Sequence, residues 1–229
     1  MVERESGEGG AEEPAMKTTS SETESGTGAG YNFRVPLAEY VRLQALPVDK
    51  LGHQPRLYEL TRLIGRGLSY DDDVVYAAAW LHDLGVFIGH RPEDPGELSR
   101  WDNVSYAMKQ APAVLLQFGF PASKVVDVVE AIRTHQPHLH PETVEGTILR
   151  DADILEQFGS IGILRVAAKI GRDTRYPTFT DAATTLRKSL AELPGKLHLD
   201  AAKTMAKPKI ALLEAFLQEL DKEAHGALC

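Results

Sequence analysis

His82-Asp83 closes the run Val74 to Leu84, which is rich in alanine and apolar almost all round. A helix of that kind belongs in the middle of a bundle. An imidazole and a carboxylate at its end are costly to bury unless something pairs with them. Two partners fit the chemistry. One is a hydrogen-bonded core or capping arrangement. The other is a divalent metal ion, which accepts a neutral imidazole nitrogen and a carboxylate oxygen together. Adjacent helical residues project about 100° apart, yet their side chains can converge on an ion beside the helix. A second concentration is His135, His138 and His140, at spacings of three and five. That spacing hints at another metal, but Pro137 breaks the helix between them, so the three also read as surface histidines of a helix-ending loop. Arg56 and Arg133 carry guanidinium forks that match phosphate oxygens in pairs, and the same forks make structural salt bridges. No Gly-rich phosphate loop is present.

The elements that must position these groups are helical. Pro36 to Leu46 forms a short amphipathic helix ended by Pro47. Leu57, Leu60, Leu63, Ile64 and Leu68 repeat at spacings of three and four and share one face, with Pro55 near the first turn. Ser69-Tyr70-Asp71-Asp72-Asp73 supplies N-cap chemistry and acidic first-turn residues for the apolar helix, and Gly85 ends it. Residues 86–100 hold two prolines and two glycines and read as a loop, either a lid over a site or a plain surface connection. Further helices are predicted over 98–118 with a kink at Pro112, 121–135 opened by Pro121, 142–157, 160–171, 181–192 and 199–224. No alternating run is bounded by hairpin turns, so the fold class is all-α, with one domain over residues 31–229.

Composition excludes several classes. One cysteine, Cys229, rules out an internal disulfide scaffold and a cysteine-based zinc site. A formal charge of −8 argues against a broad footprint for duplex nucleic acid. No stretch of about 18 apolar residues is available to span a membrane. Residues 1–30 contain seven acidic and two basic residues and no Leu, Ile or aromatic residue. That composition predicts a disordered acidic tail rather than a signal peptide, and hence a cytoplasmic protein.

The order His53, His82-Asp83, then Asp151-Ala152-Asp153 resembles the HD superfamily of metal-dependent phosphohydrolases, and in particular the small bacterial HD proteins that hydrolyse nucleotides. The segments that carry the resemblance are His53-Gln54-Pro55-Arg56, Ala78-Ala79-Trp80-Leu81-His82-Asp83-Leu84-Gly85, Glu130 to His135, and Glu145 to Glu156. Together with a similar closing helix they span roughly residues 45–222. The resemblance implies an HD-fold bundle with a metal site between core helices.

It further implies one divalent ion (Mn, Mg, Fe, Co, Ni or Zn) held by His53, His82, Asp83 and a distal aspartate. Asp151 and Asp153 lie about 200° apart around a helix and should not reach one ion together. The family pattern favours Asp153, leaving Asp151 as a supporting, solvent-facing or alternative ligand. The ion would activate water for attack on phosphorus, with Asp83 orienting or deprotonating that water. Arg56, Arg133 and His135 would contact the phosphate, His135 also as proton donor. The expected substrate is a nucleotide or another small phosphorylated metabolite. Two other readings stand beside this one: a non-catalytic metal- or nucleotide-binding module, and a hydratase of a small non-phosphorylated molecule. Departures from the family are Val86 and Phe87 after the His-Asp-Leu-Gly segment, and Trp101-Asp102-Asn103 where many relatives place another histidine. The latter argues against a dinuclear centre. A homodimer is compatible with this pattern but not specified by it.

Overall fold

A computed structural model describes residues 32–229, apart from Thr174 and the side chain of Asp49. The expected acidic tail lies outside the described residues. Ten α-helices and four short 3-10 turns make up the described chain, whose one β-type feature is an isolated bridge between Ile88 and Arg91. The helices are α1 (Arg34–Gln44), α2 (His53–Ile64), α3 (Asp72–Leu81), α4 (Pro95–Leu98), α5 (Asn103–Gln117), α6 (Val125–Thr134), α7 (Val144–Leu155), α8 (Gly159–Ala167), α9 (Phe179–Glu192) and α10 (Asp200–Ala224). The all-α expectation holds.

The apolar run becomes the central helix. In α3, Val74, Val75, Tyr76, Ala77, Ala78, Ala79 and Leu81 are all buried. Its alanines let neighbours approach closely, and α1, α2, α5, α6 and α7 all pack against it. Asp71 caps it, accepting from the backbone N–H groups of Asp73 and Val74, and is itself held by Lys124. Burying each Leu or Val here contributes on the order of 1.5–3 kcal/mol. In α2 the buried stripe is His53, Leu57, Thr61 and Ile64, at helical spacing, so the face that carries the leucine also turns His53 inward.

Several boundaries differ from expectation, each for a local reason. The helix expected from 98 begins at Asn103, because the Asp102 carboxylate accepts from the N–H groups of Val104 and Ser105 and sets the start there. Pro112 lies inside α5. Residues 86–100 are more ordered than a plain loop: Asp94 caps the single turn α4, and His90 bridges the hydroxyl of Tyr106 and the amide of Gln44. Pro121 opens a 3-10 turn, Ala122–Lys124, before α6 starts. Thr178 and Asp181 form a capping box that starts α9 at Phe179. Finally, α3 ends before Gly85: His82 is its C-cap, and the 3-10 turn Leu84–Val86 follows.

Candidate metal centre

Three helices and one turn bring the site together. His53 is the first residue of α2, His82 caps the C-terminus of α3, Asp83 follows it, and Asp153 stands in the last turn of α7. The Nε2 atoms of the two histidines are 3.1 Å apart. His53 Nε2 lies 3.5 Å from Asp153 Oδ1 and 3.7 Å from Asp83 Oδ2, and His82 Nε2 lies 3.6 Å from Asp83 Oδ2. One ligand atom from each of His53, His82 and Asp153 falls within 4.8 Å of the others.

The hydrogen bonds on the far side of each ring decide what the facing nitrogens are. His82 Nδ1 lies 3.0 Å from the Ala79 carbonyl oxygen, which can only accept, so Nδ1 carries the proton and Nε2 is bare. His53 Nδ1 has two neighbours: the charged, accepting Glu156 Oε2 at 3.0 Å, which is the nearer and favours a proton on Nδ1, and Arg165 Nη1 at 3.2 Å. Two bare imidazole nitrogens thus point at each other, with two carboxylates beside them and no donor between. Burial, the largest cause, pushes His82 down to about 4, so its Nε2 stays without a proton near neutral pH. Burial opposes charge on Asp83 as well, yet the imidazoles of His82, His53 and His135 hold it well below the usual carboxylate range. The donor set of nitrogen and carboxylate ligands, with tautomers set from behind, fits a divalent cation.

Glu156 anchors the rear of the site. It is buried, and burial works against its charge, but hydrogen bonds from His53 and Arg56 bring it to about 2. Arg56 Nε donates to its Oε1 at 2.7 Å, and Arg165 Nη1, from α8, donates to its Oε2 at 2.9 Å. Neither Glu156 nor Arg165 was singled out from the sequence. Glu156 stands three residues after Asp153, on the same helix face, and that spacing was the available signal. Arg165 has no comparable local signal, since only the packing of α8 brings it there.

The other residues singled out above fall as follows. His135 caps α6, is buried, and sits edge-on to His82 with ring centroids 5.0 Å apart; its Nδ1 donates to the Ile132 carbonyl at 2.6 Å. Arg56 is paired with Glu156, with part of its side chain still accessible. Arg133 is not brought to the cluster: it is half exposed and makes a two-pronged pair with Glu130, one turn back on α6. Asp151 is neither solvent-facing nor directed at the cluster. It is fully buried and accepts from the N–H groups of His198 and Leu199, fixing the approach to α10. His138 and His140 are exposed, and His140 stacks loosely near His198. Trp101, in the stretch where an additional histidine was missing, donates its indole N–H to the Gly85 carbonyl.

Comparison with known proteins places this geometry. The family model for the HD domain matches residues 51–157, the segment that contains His53, His82, Asp83 and Asp153. The Bacillus subtilis protein YpgQ is 23% identical over 182 residues, covering 76% of this chain and 83% of its own. Its crystal structure in complex with ADP superposes with a TM-score of 0.60 at 24% identity, over 83% of this chain and 96% of that one. The Lin1889 protein from Listeria innocua gives a TM-score of 0.64 at 21% identity, over 84% and 96%. An HD-superfamily hydrolase from Bacillus thuringiensis gives 0.60 at 19% identity, over 84% and 95%. At these identities the likeness is one of fold. No described helix is long and apolar enough to cross a membrane. Residues 51–157 of this chain form an HD domain.

Proposed function

We propose that this protein is a metal-dependent phosphohydrolase acting on a nucleotide or another small phosphorylated metabolite. The observation that carries the reading is the pair of bare Nε2 atoms of His53 and His82, 3.1 Å apart beside Asp83 and Asp153. A cation is the group that relieves this confrontation, and His53, His82, Asp83 and Asp153 would hold it. When bound, a divalent ion lowers the pKa of a water and polarises a phosphoryl oxygen. The complex of YpgQ with ADP supports a phosphorylated ligand for a protein of this fold.

The chain's own residues prepare that chemistry. Ala79 and Glu156 hold the two imidazoles in the ligating tautomer. Asp83 keeps its negative charge and is partly accessible, so it can orient a nucleophilic water. His135 commits Nδ1–H to the Ile132 carbonyl, which leaves Nε2 as the atom that takes a proton and, once protonated, donates to a phosphate oxygen. Arg56 and Arg165 neutralise Glu156, so the rear of the site does not repel an anionic substrate.

The test pairs elemental analysis of the full chain, purified without chelator, with phosphate and pyrophosphate release from a nucleotide panel under added Mn, Mg, Co or Ni. Near-stoichiometric metal with metal-dependent release is expected, and the joint replacement His82→Ala, Asp83→Ala should abolish both. Full metal retention in that variant would overturn the site. Metal retention without release under any of these ions would overturn the hydrolase and leave a binding module.

A further inference from the structure

Arg150 is the largest fully buried side chain among the described residues, and it touches none of the groups of the metal cluster. Its guanidinium donates in three directions. Nη2 reaches the Pro137 carbonyl at 2.8 Å, while Nη1 reaches the Lys196 carbonyl at 2.6 Å and His198 Nδ1 at 2.9 Å, a ring nitrogen that must be bare to accept. Nε is buried without a hydrogen-bond partner. The neighbouring carboxylate of Asp151 stands 3.6 Å from Nη1 and turns its oxygens to the N–H groups of His198 and Leu199. A guanidinium held mainly by carbonyl dipoles is a costly way to fill a core, since an apolar side chain of similar volume avoids the desolvation. What it supplies instead is a rigid fork that fixes two segments at once.

One of those segments follows His135. Among the described residues, the bond from Arg150 to Pro137 is the one hydrogen bond that ties residues 136–142 to another element. On α7, Gly146, Arg150 and Asp153 stand at spacings of four and three and share a face. Gly146 lets that face meet the end of α6 closely: a Cβ there would lie 2.9 Å from Thr134 Oγ1 and 3.1 Å from Pro141 Cβ. The face that presents Asp153 to the metal cluster therefore also holds the chain two residues beyond His135, whose ring centroid is 5.0 Å from that of His82. The other prong of the fork, on Lys196 and His198, rests on a segment that Asp151 keeps in place.

We propose that Arg150 is a positioning residue for His135: its fork fastens the backbone after His135 to the Asp153 face of α7 and so keeps His135 Nε2 directed at a phosphate held at the metal cluster. The part of His135 in the reaction rests on the phosphohydrolase reading; its placement by Arg150 does not.

The experiment has two arms. In the first, the full chain is labelled at the histidine ring carbons and its ring resonances are recorded after chelation, with His135→Gln identifying the His135 signals. Arg150→Lys keeps the charge but lacks the planar fork. It should shift or broaden the His135 signals and leave those of His53 in place. Should Arg150→Lys fold poorly, His198→Ala decides the point: it removes one acceptor of the fork at an exposed position and should move the same signals by less. His135 signals at their wild-type positions in the deciding variant would overturn the inference.

In the second arm, metal-dependent phosphate and pyrophosphate release is compared in wild type, Arg150→Lys, His135→Gln and the double variant. Arg150→Lys should lower kcat by about tenfold or more at unchanged metal content. On the His135→Gln background the same substitution should cost less than about twofold, because two residues that act through one another are not additive. Wild-type kcat in Arg150→Lys, or an equal loss on both backgrounds, would overturn the positioning role. The two readings fail separately. Displaced His135 signals with no release from any of the proteins under any metal leave the placement and remove the hydrolase. Metal-dependent release with unmoved His135 signals leaves the hydrolase and removes the role of Arg150.

Discussion

Glu156 Oε2 lies 3.0 Å from His53 Nδ1, and the same carboxylate is gripped by Arg56 at 2.7 Å and Arg165 at 2.9 Å. A single buried carboxylate therefore sets the tautomer of one histidine while two guanidinium groups keep that carboxylate charged. The arrangement couples the start of α2 to the end of α7 and to α8. Carboxylates behind a ligating imidazole raise its basicity and fix its ring.

The substitution Glu156→Gln isolates that effect, because it keeps volume and removes charge. A Gln side chain can still accept from His53 through its oxygen, but its amide group would then face Arg56 or Arg165 as donor against donor. Metal affinity should fall by about 10–100-fold, measured by competition with a chromophoric chelator. An unchanged affinity would show that His53 is held by its helix alone.

Asp151 and Asp153 should separate cleanly by phenotype. Asp153→Asn removes a charge from the proposed ligand set, and metal affinity should drop by at least about tenfold with little change in melting temperature. Asp151→Asn leaves the cluster intact but places an amide where a buried carboxylate accepts from His198 and Leu199. Stability should fall by about 1–3 kcal/mol with metal content retained. Elemental analysis and urea unfolding on the two variants check this; the reverse pattern would put the ligand at Asp151.

How far the sequence could be read depended on whether a residue's role is set within its own helix. The apolar run Val74 to Leu84 forced a central helix, and His82-Asp83 at its end had to be partnered, so that part of the site was legible. Helix geometry alone separated Asp151 from Asp153, and the family pattern chose between them. Arg133 was misplaced because a guanidinium suits phosphate and carboxylate equally. Glu130, three residues back, was the nearer partner and is the one the structure shows. Arg165 and Lys169 could not be read, since their meaning lies in what α8 packs beside. The same holds for residues 86–100, read as a loop, where the Asp94 cap starts the single turn α4, and for the helix predicted from 98, which the Asp102 cap starts at Asn103.

Lys169→Met tests the stability cost of one ammonium group, held below the ordinary lysine value by burial first and then by the charges of Lys50, Arg175 and Arg165. The ordinary lysine value of 10.5 is lowered to about 8 in the folded protein, so the unfolded chain binds the extra proton between those values. Stability contributed at this position therefore rises with pH from about 8 toward 10.5, and below 8 the folded state bears the full cost of the charged ammonium. The metal-free Met variant should melt higher than wild type at pH 7, and the difference should shrink as pH passes through 8 and upward. Thermal unfolding of both proteins across pH 7–10 measures it. A lower melting temperature for the variant at pH 7 would mean that the Tyr176 contact outweighs the cost of burying the ammonium among its neighbouring charges.

Gly85 connects the site to the start of α5. A Cβ built there would stand 2.6 Å from the Asn103 carbonyl oxygen and 2.8 Å from its Cα, both backbone atoms that cannot rotate away. The Gly85 carbonyl also accepts the indole N–H of Trp101 at 2.8 Å, so the turn after Asp83 and the segment leading into α5 are locked together. Gly85→Ala must push these segments apart, at a cost of about 1–3 kcal/mol from overpacking, read by urea unfolding. Because Asp83 lies two residues before Gly85, the displacement should also loosen metal binding, whereas Gly89→Ala, at an open position with φ of 93°, should destabilise the chain through backbone strain while leaving metal affinity unchanged. Equal metal affinity in both variants would show that the turn Leu84–Val86 absorbs the change without passing it to Asp83.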